Sequence, residues 1–203
     1  MDRAARFESL LEAAIEAMAE RGVARAAHAD VASRSGVSVP TVFFYFRTRP
    51  LLVEAVLAEI ERFLFSVIDE GCREGGSARE MIRRILRIFV SYVETEPDRI
   101  RVWLDWSTAV REGIWNRYVA LQARIIARFR ELIDSAQAAD DIVRTVDSDD
   151  AAHLLVGQGH MLVLMRLAGV DAQRVSHFID HLVDSTIPPS RPPFSDTDSP
   201  RPA

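Results

Sequence analysis

Two short helices that share one glycine turn leave a chain few ways to pack, and residues 28–49 are written that way. Gly36 follows a short helical stretch and supplies the positive φ that ends it. Ser38 is a natural N-cap, and Pro40 falls in the first turn of the next helix, where a missing N–H costs nothing. The spacing predicts a helix of barely two turns over 39–46. Thr48 caps the helix after it, with Arg49 and Pro50 in its first turn. Two short helices joined by a tight glycine turn make a helix-turn-helix, whose second helix is shaped to lie in a DNA groove.

The rest of the chain is helical in period. Phe7, Leu10, Leu11, Ala14, Ile15 and Met18 mark a helix over 4–21, ended by Gly22. A second helix, 28–35, turns Ala29, Val31 and Ala32 inward but has only Ala27 at its N-cap, which predicts a weakly capped start. After 39–46 come helices over 48–70, 78–96, 98–110, 111–137, 149–168 and 171–186. Gly71, Gly75 and Gly76 read as a loop before the capping box Ser77-x-x-Glu80, Pro97 breaks the fifth helix, and Gly169 splits the last two. Arg83, Arg84 and Arg87 are expected on the outer face of the fifth. There are no strand signals. The expected fold is all-α with nine helices: a helix-turn-helix head at 1–47, a larger bundle at 48–187, and a disordered Pro/Ser/Asp-rich tail at 188–203.

The charge balance narrows the function. A net charge of −5 over 203 residues excludes a wholly basic nucleic-acid coat. Between Val31 and Val53, however, there are three arginines (Arg34, Arg47, Arg49) and no acid, a local +3. The single cysteine, Cys72, excludes an internal disulfide framework and fits a reducing cytoplasm. The N-terminus lacks the apolar run of a signal peptide. Ala151–Val170 is apolar and about as long as a bilayer span, but His153, Gln158, His160 and Arg166 interrupt it. It reads as a helix buried on several sides by protein, so no membrane role is expected. Nothing in the sequence assembles a catalytic site, a metal site or a phosphate loop. His177 and His181 have the spacing of a metal pair but no third ligand, and read as interface histidines.

The motif Val31-Ala32-x-x-x-Gly36-Val37-Ser38-x-x-Thr41-Val42-x-x-Tyr45-Phe46 resembles the DNA-binding head of the TetR family of bacterial transcription regulators. Within it HADVA (28–32), VSVPTVFFYF (37–46) and, further on, VWLDWS (102–107) are similar to the vibrio-type quorum-sensing master regulators of that family, the LuxR/HapR group. The resemblance runs over roughly residues 6–185. It implies a dimeric repressor or dual regulator that binds a near-palindromic operator in double-stranded DNA, with a quorum-sensing connection. Base edges are expected to meet Ser38, Val39, Pro40, Thr41 and Phe44. The Tyr45 hydroxyl, Arg47, Thr48, Arg49 and His28 are expected on backbone phosphates. Val42, Phe43 and Phe46 are the expected core of the head. One position departs from the pattern: where the vibrio group has a base-reading Asn, this chain has Phe44, so its operator preference should differ. Only Arg3 and Arg6 remain of a longer basic arm, so minor-groove anchoring is expected to be weak or absent.

Two further surfaces follow. Phe63, Leu64, Ile85, Phe89, Trp103, Ile126 and Phe129, with the polar Gln122 on the same stripe, have the composition of a pocket for a small apolar ligand. The family resemblance implies an inducer there, between the fourth and seventh helices. Leu154, Leu155, Gln158, Met161, Leu162, Met165, Phe178, Ile179 and Leu182 carry more apolar surface than one bundle can bury, and a two-fold four-helix dimer interface resolves that. The alternative reading is a small-molecule-binding protein, or a small α-helical enzyme, using the cavity near Trp103 and retaining a vestigial head. The protein needs no cofactor in either reading.

Overall fold

The computed structural model describes residues 2–190. Among these, nine α-helices follow in order: α1 (Arg3–Arg21), α2 (His28–Ser35), α3 (Val39–Tyr45), α4 (Arg49–Cys72), α5 (Ala78–Thr95), α6 (Pro97–Thr108), α7 (Trp115–Ala138), α8 (Ser148–Leu167) and α9 (Ala172–Thr186). No helix among the described residues is long and apolar enough to cross a membrane. The chain divides into two compact units: Met1–Glu70 with Ile88–Arg124, and Gly71–Arg87 with Ile125–Ala203. The expected head at 1–47 lies within the first.

In the first unit α1 packs on α2 and α6, and α2 on α3. Leu10, Ala14, Ile15, Val31, Val42, Phe46, Leu52, Val56, Ile60, Ile100 and Trp106 fill its core. Gly36 ends α2 in the left-handed region at φ 66°, and the amides of Gly36 and Val37 both donate to the Ala32 carbonyl, which satisfies the helix end. Ala27 offers no side-chain cap to α2, but Asp30 Oδ2 accepts the Ala27 amide at 2.9 Å, and Arg21 holds that carboxylate at 3.2 Å. The start that Ala27 leaves uncapped is thus closed from the other side. Arg99 of α6 ties three segments together through Glu12 of α1, Glu59 of α4 and the preceding Glu96.

In the second unit Ile82, Ile133, Ile142, Leu155, Leu162, Val163, Ile179, Val183 and Ile187 are buried. α8 packs on α9, and each starts on an aspartate cap, Asp147 and Asp171. Arg79, Arg83 and Arg87 of α5 pair with Asp180 and Asp184 of α9, so Arg83 and Arg87 are engaged rather than simply turned to solvent. The Ser77–Glu80 box forms: Glu80 Oε2 accepts the Ser77 amide at 2.9 Å and its hydroxyl at 3.0 Å. Those two bonds from Ser77 hold the Glu80 carboxyl below its ordinary pKa.

Three local expectations need correction. α7 begins at Trp115, because residues 109–114 form turns rather than a first helical turn. Pro188–Ser190, placed in the tail on composition, are paired instead: Ile142 bridges Pro189, and the Ser190 amide donates to the Asp141 carbonyl at 3.1 Å. The rest of that tail, 191–203, lies outside the described residues. Gly71, expected to open a loop, is inside α4, where Arg84 Nε caps its carbonyl at 2.9 Å. Glycine is needed there for space. A Cβ would overlap Ile85 Cγ1 and sit 2.8 Å from the Ile85 backbone nitrogen. Gly71→Ala is therefore expected to destabilise the protein by about 1–3 kcal/mol, the cost of overpacking against backbone, read as a lower urea midpoint at unchanged slope.

Candidate DNA interface

α3 sorts its seven residues by face. Val42 is fully buried and the following Phe46 is 2% exposed, which anchors the helix against the head. Ser38 Oγ accepts the Thr41 amide at 3.4 Å and lies 2.8 Å from Thr41 Oγ1, so one hydroxyl pair both caps the helix and offers polar atoms outward. Ser38, Pro40, Phe44, Arg47 and Thr48 are exposed, and Val39, Thr41 and Tyr45 are half-buried. All the residues expected to meet DNA from α3 and its C-terminal side, Arg49 included, are thus exposed or half-buried. Phe44 is 66% exposed. Its ring meets Tyr45 edge-on at 5.3 Å, and the Arg3 guanidinium lies 5.6 Å from its centroid. Beside it is an open cleft of about 610 Å³ lined by Asp2, Arg3, Ala4, Phe7, Glu8, Phe44 and Tyr45.

Of the residues expected on phosphates, His28 is buried and Arg49, though exposed, also bonds within the head. His28 is buried; its Nε2 is 2.6 Å from the Phe46 carbonyl, and its ring stacks on Phe43 at 4.0 Å. With Nε2 carrying the proton, it closes the C-terminus of α3. Phe43, expected in the core, is 46% exposed and serves as the other half of that stack. Arg49 donates to the carbonyls of Ala26 at 3.1 Å and Val23 at 2.7 Å, and to that of Ala24. It clamps the turn between α1 and α2. Asp105 of α6 grips the same turn by accepting the Val23 amide at 2.7 Å. Nothing local in the sequence marks this partner, which lies 82 residues away.

The local +3 is therefore smaller in effect than its count. All three arginines are exposed, but Arg34 pairs with Glu16 and Glu20, and Arg49 donates to the carbonyls of Val23 and Ala26. The Leu51 amide in the first turn of α4 donates to Thr48 Oγ1 at 3.4 Å.

Elsewhere the nominated residues divide. Phe63, Leu64, Phe89, Trp103 and Gln122 belong to the first unit, and Ile85, Ile126 and Phe129 to the second. Phe89 meets Trp103 edge-on at 5.1 Å, both nearly buried, while Gln122 is half-buried. Phe63 stacks edge-on with Tyr92 at 5.0 Å and borders an open cleft of about 350 Å³ whose other walls include Glu59, Arg62 and Arg99.

On α8 and α9, Leu155, Leu162 and Ile179 are buried within their own unit and are not free to meet a second chain. Leu154 and Met161 are 55% and 50% exposed; Gln158, Met165, Phe178 and Leu182 are half-buried. Leu164 and Leu167, 52% and 51% exposed, were not nominated. Leu154, Gly157, Met161 and Leu164 recur every three or four residues, so α8 bears a second apolar stripe opposite its buried one. His177 and His181 contact each other edge-on at 4.8 Å.

Comparison with known proteins gives a consistent setting. The profile described as "Bacterial regulatory proteins, tetR family" matches residues 10–56, and that of the "Tetracyclin repressor-like, C-terminal domain" matches 75–163. The chain is 36% identical over 114 residues to the HTH-type transcriptional regulator LuxR of Vibrio harveyi, covering 56% of this chain and 56% of that relative's length. It is 22% identical over 155 residues to the nucleoid occlusion factor SlmA of Aliivibrio fischeri, covering 75% of this chain and 79% of that one. Among solved structures, a regulator from Saccharomonospora viridis in complex with choline shares the fold with a TM-score of 0.77 at 20% identity, covering 91% of this chain and 98% of that one.

Proposed function

Because this chain belongs to the TetR family of bacterial regulatory proteins, we propose that it is a homodimeric, sequence-specific regulator of transcription that places α3 in the major groove of a near-palindromic operator. The observation that carries the proposal is the division of α3. Val42 and Phe46 lock it to the head, while Ser38, Pro40, Thr41, Phe44 and Arg47 are left on an accessible surface. In a helix-turn-helix such residues reach base edges, and a dimer sets two of them about 34–36 Å apart, one turn of DNA. The exposed stripe of α8 supports the second copy. A helix apolar on both sides needs cover on both, and an isologous pairing supplies it from the same residues. The cytoplasm is the compartment in which this activity operates, and kinship with LuxR supports a role in density-dependent gene control.

A small apolar ligand is the second part of the proposal. Phe89 and Trp103 provide aromatic surface and the half-buried Gln122 an amide, the composition by which an apolar site fixes a ligand's orientation. Trp103 fluorescence, titrated with candidate ligands, reads that part directly.

The DNA-binding part is tested by selecting duplexes from a random library at low salt. Recovery of a near-palindrome is the expected result, and failure to recover any sequence rejects the reading. Against the selected site, Tyr45→Phe should weaken all duplexes alike by roughly ten- to hundredfold per half-site, the worth of one hydrogen bond to a charged phosphate. Thr41→Ala should change the ranking of sequences. Equal scaling of every site by Thr41→Ala would remove Thr41 from base reading.

A further inference from the structure

We propose that Phe44 reads the C5-methyl group of a pyrimidine, so that thymine at one step of each half-site, or 5-methylcytosine in its place, is a determinant of binding. The inference rests on the reading of α3 as the groove-entering helix.

Phe44 is the most exposed of the large hydrophobic side chains among the described residues, at 66%. It lies one turn beyond Thr41 on the same side of α3 as the helix's N-terminal polar pair. A phenyl ring in water is costly to expose, and here two contacts hold it in place without covering it. Tyr45 presents an edge-on ring at 5.3 Å, and the Arg3 guanidinium stands 5.6 Å from the centroid. The cation suits a surface that must lie between rows of phosphates.

A phenyl ring has neither donor nor acceptor. Pressed against a major-groove edge, it desolvates whatever it covers. Guanine N7 and O6, adenine N7 and N6 and cytosine N4 lose hydrogen bonds to water and receive nothing back. The thymine methyl is the one apolar group on these edges, and it gains from the same contact. Cytosine methylated at C5 carries that methyl at the same ring position. The side chain therefore discriminates by the methyl itself, which separates thymine from uracil and 5-methylcytosine from cytosine. An amide at this position would make hydrogen bonds and would be indifferent to the methyl.

The experiment uses the full-length protein and its selected duplex, with thymines replaced by deoxyuridine one symmetry-related pair at a time and binding followed by fluorescence anisotropy. At one pair the wild-type protein should lose about fourfold in affinity per half-site, the transfer free energy of one buried methyl group. Cytosine at that pair should bind more weakly still, and 5-methylcytosine should recover part of the loss. Phe44→Ala should bind the thymine and uracil duplexes equally, whereas Phe44→Leu should keep the discrimination. Phe44 is exposed, so both variants should unfold at the wild-type urea midpoint. Wild-type binding that is indifferent to every uracil substitution overturns the proposal, as does a methyl effect of the same size in Phe44→Ala. Failure to bind any duplex overturns the DNA-binding reading as well, so the two failures are distinct.

Discussion

Leu154→Asp combined with Met161→Asp is expected to give a folded monomer whose affinity for the operator is lower by about 10²–10⁴-fold, the avidity lost when two half-sites are no longer bound by linked heads. Both side chains are half exposed in the protomer, at 55% and 50%. Aspartate at such positions costs the isolated chain little, within about 0.5 kcal/mol. In a two-fold interface each substitution is repeated on the facing helix, so four carboxylates would be buried with no cation opposite them, a cost of several kcal/mol. Sedimentation gives the mass and circular dichroism the fold. A dimer that survives both aspartates would place the interface elsewhere. Leu155→Ala is the contrasting variant. Leu155 is fully buried in its own protomer. Its loss should lower the unfolding free energy by about 2–5 kcal/mol whether or not a dimer forms.

That contrast also shows what apolar patterning reveals and what it leaves ambiguous. Residues 151–167 carry apolar side chains on more than one side of the helix, so their spacing announces burial without saying which side meets the protomer's own core. Leu155 and Leu162 share an apolar run with Leu154 and Met161, but each lies about 100° round α8 from its neighbour and is buried where that neighbour is exposed, as Leu164 and Leu167 also are. Where a helix has one polar face the reading is direct: Leu10, Ile15 and Met18 of α1, and Leu52, Val56 and Ile60 of α4, are buried as their period requires.

The helix-turn-helix was legible because its determinants are local. Gly36 needs a positive φ, and Ser38 needs the Thr41 amide three residues on. The internal bonds of His28 and Arg49 are not legible because their partners are distant in sequence, and of the two only His28 is buried away from DNA. A polar side chain near a groove-facing helix looks the same in sequence whether it meets a phosphate or a carbonyl. His28 finds the Phe46 carbonyl 18 residues away, and Arg49 finds those of Val23 and Ala26, 26 and 23 residues away. Both satisfy backbone oxygens at helix ends or turns, which folding must pair in any case. The charge count suffered for the same reason: net charge is additive along a sequence, but only side chains left without a partner present it to DNA.

Trp106→Ala is expected to cost about 3–5 kcal/mol of unfolding free energy, a large share of the 5–15 kcal/mol that typically holds a domain together. Trp106 is fully buried. Its indole N–H donates to the Ile114 carbonyl at 3.0 Å, fastening the turn between α6 and α7, and its ring meets Tyr118 edge-on at 5.7 Å. Truncation removes the largest fully buried side chain of that core and one of the two hydrogen bonds to the Ile114 carbonyl, which keeps the Tyr118 amide at 3.3 Å. Trp106→Phe keeps most of the volume and should cost about 1–3 kcal/mol, from the smaller ring and the lost indole hydrogen bond. Tyr118 provides a reporter. Burial pushes its hydroxyl up to about 12 from an ordinary 10.0, against the opposing effect of a hydrogen bond with Ser107. Between those values the unfolded chain has released a proton that the folded chain still holds, so stability should fall as pH rises from about 10 to about 12. In Trp106→Ala water reaches the vacated space, and the 295 nm titration of Tyr118 should move down towards its ordinary range. A Tyr118 titration unchanged by the truncation would mean that the neighbouring ring is not what keeps water from the hydroxyl.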